Sequence, residues 1–225
     1  MSVETIPLLC VAAPLLVAAG LAATGRRLPR LAVDVVALLT CLLVLVGAIV
    51  LLAAAGTRRV VNWVAGYGPQ GGHSVGVVFV VDRVNAGLAV LAASLTLGAL
   101  VYTWRYFQEV ESRFHVLVLL FLAGMVGFAL TGDLFDAFVF FELMSVAAYA
   151  LTGYKIEEAQ PLQGALNFAV INSLGAYCTL LGIGLLYGRT GELGFAQIHQ
   201  ALSGHAPDAL VVVGAALVLT GFLVK

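Results

Sequence analysis

A carboxylate sits in the middle of an apolar run. Residues 134–152, LFDAFVFFELMSVAAYALT, carry Asp136 near the start and Glu142 as the only ionisable group at the centre. At ~1.5 Å per residue, Glu142 lies roughly 12 to 15 Å from either end of a helix over this run, the centre of a hydrocarbon layer ~30 Å thick. A charge placed there costs ~2.5 to 3.5 kcal/mol on insertion scales, so such a side chain faces protein or water and keeps a partner. Two readings follow from the residues alone. Either Glu142 is an ion or proton site, or it stays neutral and hydrogen-bonds a neighbouring helix as structural glue. Asp133, behind Thr131-Gly132, suits a helix N-cap, and Asp136 falls in the first turn, where the helix dipole favours negative charge.

The rest of the chain is of one kind with that run. Hydrophobic residues make up 62% and charged residues only 10%, with mean hydropathy +1.06, whereas a soluble domain has ~25% charged residues. An all-α polytopic membrane protein is expected. A net charge of -1 provides no basic patch to neutralise phosphates, which excludes a nucleic-acid partner. Cys10, Cys41 and Cys178 lie inside apolar runs without CxxC or Cys/His spacing and read as small buried hydrophobes, with neither a disulfide nor a metal. No Walker loop, dinucleotide fingerprint or Ser/His/Asp arrangement occurs, so no cofactor and no catalytic residue is expected. The first apolar run, 6–23, has Glu4 before it and Arg26, Arg27 and Arg30 after it, the reverse of a secretory signal, and reads as a retained span.

Runs long enough to cross a membrane predict a single membrane domain over 1–225, with spans near 5–23, 31–55, 84–104, 115–131, 134–152 and 165–187 and an incomplete seventh over 209–225. With the N-terminus outside, the inner loops hold Arg26, Arg27, Arg30, Arg105, Arg113 and Lys155, six cations against four outside, Arg58, Arg59, Arg83 and Arg189. That bias favours the N-terminus outside. Between spans two and three, glycine and proline breaks separate two β-branched runs, which predicts a short extracytoplasmic hairpin. His73 in its turn reads as a solvated loop residue. Trp63, Tyr67, Tyr102, Trp104 and Tyr106 suit the membrane interface.

Span six offers a second patterned helix. Asn172, Gly175, Thr179 and Gly182 recur at spacings of three and four, a small and polar stripe that another helix can approach closely, and Asn167, Ser173 and Tyr177 add hydrogen-bonding groups at nearby depth. Tight packing and a hydrated path beside Glu142 are both consistent with this pattern. The segment after it reads as a polar loop in which His199 and His205, six apart and followed by Pro207, do not share a helix face. Lys225, read on its residues alone, is a snorkelling lysine at the inner interface.

The stretch FHVLVLLFLAGMVGFALTGDLFDAFVFFELMSVAAYALTGYK, with INSLGAYCTLLGIGLLYGRTGELGFAQI after it, resembles the antiporter-like membrane subunits shared by respiratory complex I, group 4 membrane-bound hydrogenases and Mrp-type cation/proton antiporters. The spelling TGDLFDAFVFFE is most similar to the D-type subunits of Mrp antiporters, and the resemblance runs over residues 81–225. It implies that Glu142, in an FE motif, and Lys225, in a GFxxK motif, form a buried proton-transfer pair. It also implies an inverted-repeat fold of two halves, of which these residues correspond to the N-terminal one, as a piece of a longer subunit or as a split subunit. The function implied is proton translocation, with Na+/H+ antiport as one form of it. The alternatives are the proton-pumping arm of an NADH-quinone oxidoreductase or hydrogenase, and a membrane scaffold that transports nothing. The implied partners are other membrane subunits, H+, Na+ and the lipid bilayer, in the inner (plasma) membrane.

Overall fold

The structure, a computed structural model, describes residues 3–56, 59–66, 68, 76–106, 112–155, 157–204 and 208–225. Arg58, Tyr67, His73, His205 and Pro207 lie outside the described residues, as do the side chains of Arg26, Arg105 and Tyr106. The helices are α1 (Ile6–Thr24), α2 (Arg30–Ala55), α3 (Arg83–Tyr106), α4 (Ser112–Leu130), α5 (Leu134–Thr152), α6 (Ala159–Thr190), α7 (Phe195–Leu202) and α8 (Ala209–Val224). The described residues hold six helices long and apolar enough to cross a membrane, and α8 is a shorter apolar helix. This is a multi-pass helical membrane protein.

Helices α1 to α4 form the first packed unit, α1 against α2 and α4, and α3 against α2 and α4. Small residues make this possible. Ala37 and Ala48 of α2 and Ala86, Ala89 and Ala93 of α3 are fully buried and let the backbones approach, while Leu119 and Leu122 of α4 fill the centre. Without a hydrophobic drive between helices in lipid, close packing of this kind supplies much of the association. Helix α5 joins along α4, where a Cβ at Gly124 would stand 2.8 Å from the Met144 backbone nitrogen. Helix α6 carries α8 along its length, and Leu134, Ile183, Leu186, Val211 and Val218 form a second apolar cluster joining α5, α6 and α8.

The two ends of the bundle differ in character. At one end β1 (Val60–Trp63) pairs antiparallel with β2 (Val78–Val81), with Val60 opposite Val81 and Trp63 opposite Val78. The expected hairpin is therefore present between α2 and α3. It is sewn to the start of α5, since the Gly132 amide donates to the Val78 carbonyl at 2.8 Å, and the segment after α6 is tied to the same place, the Leu134 amide donating to the Leu193 carbonyl at 2.8 Å and the Phe195 amide to the Gly132 carbonyl at 3.0 Å. The other end gathers the starts of α2 and α4 with the end of α5, where the Phe114 ring meets Tyr154 edge-on at 5.8 Å.

One expectation differs from the structure here. The segment after span six is not a plain loop: it contains α7, whose Ile198 and Leu202, together with Leu193, pack on the second apolar cluster. Two apolar residues at helical spacing in a stretch this short, Ile198 and Leu202, are masked by the glycines and polar residues around them. Helix α6 itself runs to Thr190 and stops at Gly191, whose φ of +71° is a left-handed backbone that suits glycine.

Candidate functional site

Helix α5 begins where the sequence provides a cap. The Asp133 carboxylate accepts from the amides of Phe135 at 2.8 Å and Asp136 at 3.0 Å, satisfying donors that the first turn leaves unpaired. Asp136 is not a cap itself; its carboxylate takes the backbone amide of Val78, tying α5 to the hairpin. Glu142 follows two turns further in, on a helix whose register this cap and this tie determine.

Helix α8 starts with the same chemistry. Asp208 accepts from the Val211 amide at 3.0 Å and from Arg189 Nε at 2.5 Å. The guanidinium holds the Asp208 carboxyl below the usual carboxylate range. Arg189 is in the last turn of α6, so this pair starts α8 antiparallel to α6. The stripe predicted on α6 is the surface on which α8 lies. Gly175 faces Gly221 and Lys225, Gly182 faces Gly214 and Val218, and Thr179 turns its hydroxyl onto the Gly175 carbonyl at 2.9 Å. Asn172, one turn before Gly175, is 2% exposed, and its Oδ1 has no hydrogen-bond partner among the described residues.

That packing delivers Lys225. Its side chain is 1% exposed and its Nζ lies against Glu142 Oε1. Side chains on a helix lean towards its N-terminus, so the lysine reaches back along α8 to the depth of the glutamate. Glu142 is half-buried. The ammonium also faces two rings of α5, 4.8 Å from the Phe141 centroid and 5.7 Å from that of Phe138.

The structure thus brings Glu142 and Lys225 together, with Asn172, Gly175, Thr179 and Gly182 on the α6 face beneath α8. It does not bring Tyr177 to them: that ring is 70% exposed on the outward face of α6. Asn167 and Ser173 are exposed there too. Tyr177 is two positions beyond Gly175, about 200° around the helix, so a shared depth does not mean a shared face. Trp63 is half-buried at the end of β1 and Tyr102 is exposed.

The structure adds ionisable residues that the sequence reading did not single out. Asp34 of α2 and His115 of α4 are both buried, with His115 Nε2 2.8 Å from Asp34 Oδ1 and Arg30 Nε 3.7 Å from Asp34 Oδ2. The signal was available: Asp34 is the only acidic residue within the second apolar run, and such residues ask for a partner. Glu192, buried beside the end of α6, is a further one. Among the described residues no three His, Cys, Asp or Glu side chains gather as a metal site.

Residues 131–225 match the family described as NADH:quinone oxidoreductase/Mrp antiporter, TM. The D component of a probable K(+)/H(+) antiporter of Rhizobium meliloti is 34% identical over 77% of this chain and 31% of its own length. The N component of the NADH-quinone oxidoreductase of Desulforudis audaxviator is 35% identical over 67% of this chain and 30% of its own. Among solved structures, a chain of the Mrp complex from Dietzia sp. DQ12-45-1b superposes with TM-score 0.83 at 30% identity, over 98% of this chain and 40% of that one. The chain spans about a third of the length of these curated relatives. Its sequence and its overall fold both conform to one group, and the chain belongs to the antiporter-like membrane subunit family shared by NADH:quinone oxidoreductases and Mrp antiporters.

Proposed function

We propose that this chain is the proton-carrying part of an ion-translocating membrane subunit, with Glu142 and Lys225 as the pair that takes and passes the proton. The observation that carries the reading is the contact of Lys225 Nζ with Glu142 Oε1 near the middle of α5. Two ionisable groups in contact titrate as a unit. A shift in their separation or hydration therefore moves a proton onto or off the pair. The carboxylate is the group that changes protonation, and the ammonium is the counter-charge that makes an ionised glutamate tolerable at this depth. Asn172, with an unsatisfied oxygen on the same α6 stripe, suits a water that links the pair to the rest of a path.

In this reading residues 1–225 act as one membrane domain in the inner membrane with the N-terminus outside, in line with the six-to-four bias of cations. The coupled cation is Na+ or, by likeness to the Rhizobium antiporter, K+, and the partners are further membrane subunits. A second reading has its own support in the likeness to the N component of an NADH-quinone oxidoreductase: the same pair would serve as one proton site in a redox-driven pump. Companion proteins distinguish the two. Flavin and iron-sulfur proteins that co-purify favour the pump, because the cysteines of this chain do not group as cluster ligands.

The test is cation-induced proton flux in inverted membrane vesicles holding the intact complex. Glu142→Gln keeps the shape and removes the proton-carrying charge, so flux is lost while the complex still assembles. Wild-type flux from an assembled Glu142→Gln complex would refute the proposal.

A further inference from the structure

Phe138, Phe141 and Glu142 stand at spacings of three and four on α5, and such residues share one helix face. The Lys225 ammonium meets all three: the carboxylate directly, the Phe141 ring at 4.8 Å and the Phe138 ring at 5.7 Å. A ring face attracts an ammonium through its quadrupole at distances up to ~6 Å, and more strongly where water is excluded. The Phe141 ring is itself held in place. Phe128 of α4 stacks on it with centroids 5.2 Å apart, and Phe222 of α8 meets it edge-on at 5.3 Å. Phe222 is three residues before Lys225, so the helix that delivers the ammonium also sets the ring that receives it.

We propose that Phe141 and Phe138 are positioning residues, a clamp that keeps Lys225 at Glu142 during the part of the cycle in which the carboxyl is protonated. This rests on the proton-carrying reading above. When Glu142 takes a proton, its Coulomb attraction for the ammonium disappears, and a lysine 1% exposed has lost its counter-charge. The ring quadrupoles are unchanged by that proton. They hold the ammonium where the returning carboxylate meets it again, so the pair re-forms without a search.

Stepwise fluorination separates this role from packing, because fluorine draws electron density from the ring face while leaving its shape nearly constant. Mono-, di- and trifluorophenylalanine are placed at Phe141 of the intact complex, with the buried Phe79 of β2, whose ring lies against Phe140 and not against Phe141, as the packing control, and cation-induced proton flux is measured in inverted vesicles. The clamp predicts a graded loss at Phe141, roughly 3- to 10-fold across the series, and little change at Phe79. A flat series at Phe141, or equal losses at both positions, overturns the clamp. Glu142→Gln measured alongside identifies which idea has failed. If that variant is inactive and the Phe141 series is flat, only the clamp is wrong; if it transports normally, the proton-carrying reading falls and the clamp falls with it.

Discussion

Helix α8 lies so close to α6 that one methyl group at Gly182 should move it. A Cβ there would stand 2.6 Å from the Gly214 carbonyl oxygen, 2.8 Å from the Val218 nitrogen and 2.9 Å from Val218 Cγ2. Two of these three are backbone atoms, which no rotamer change removes. To restore van der Waals distances α8 must retreat by roughly 0.5 to 0.8 Å, or the contacts along the seam must be given up. Overpacking of this kind costs ~1 to 3 kcal/mol. For a domain of this size that lowers the melting temperature by roughly 2 to 12 °C. Gly184, two positions along the same helix, has nothing within 4 Å of its Cβ position. Gly184→Ala is therefore neutral or mildly stabilising, since alanine favours a helix over glycine by up to ~1 kcal/mol. Thermal denaturation of the two variants in mild detergent, each within its intact complex, makes the comparison. Because Lys225 rides on α8, Gly182→Ala also lowers proton flux. Equal melting temperatures for the two variants would refute the reasoning about this seam.

The other predictions concern the ion pairs. Removing one partner of the buried Asp34–His115 contact costs ~3 to 5 kcal/mol, whereas replacing both by leucine costs less than either single change, and a double-mutant cycle on unfolding checks this. Additive costs would mean the two do not act as a pair. Asp208 has its carboxyl held below the usual carboxylate range in the folded state, chiefly by Arg189. The sign follows: its contribution is fully present above the ordinary carboxylate pKa and is lost as pH falls through the folded value. The melting temperature of Asp208→Asn should therefore fall less steeply on acidification than that of the wild type. A parallel fall would remove the pair from the account of α8.

The hydropathy of the chain makes the helical bundle legible, because a backbone in lipid must satisfy its own hydrogen bonds and a long apolar run has no alternative to a helix. The cap at Asp133 is legible for a similar reason, since an acid behind Thr-Gly at the head of an apolar run has one obvious use. The stripe on α6 announces an approaching helix but not which one. That it is α8 goes with the Arg189–Asp208 pair, whose members lie 19 residues apart with α7 between them, so that no helical or strand spacing joins them in the sequence. Lys225 illustrates the limit most clearly. Its residues alone suggest a snorkelling lysine, and only the resemblance assigns it to Glu142, because periodicity does not tell which of two helices a side chain turns towards. Tyr177 fails in the opposite sense: its depth is close to that of the stripe, but its face is not. Asp34 and His115 are harder to see because each is a single polar residue near the head of its own apolar run, on helices that the sequence does not pair. An acid one turn inside α2 nonetheless asks the same question of its surroundings as Glu142 does.

Whether Glu142 gains and loses a proton at all is the point on which the whole account turns. Infrared difference spectroscopy of the intact complex in membranes, taken across a pH jump, detects the carbonyl stretch of a carboxyl group as it is protonated. A proton-carrying Glu142 gives such a band in the wild type, and the band disappears in Glu142→Gln with the complex still assembled. A band unchanged by the substitution, or a glutamate that stays protonated throughout, would make Glu142 packing and contradict the account.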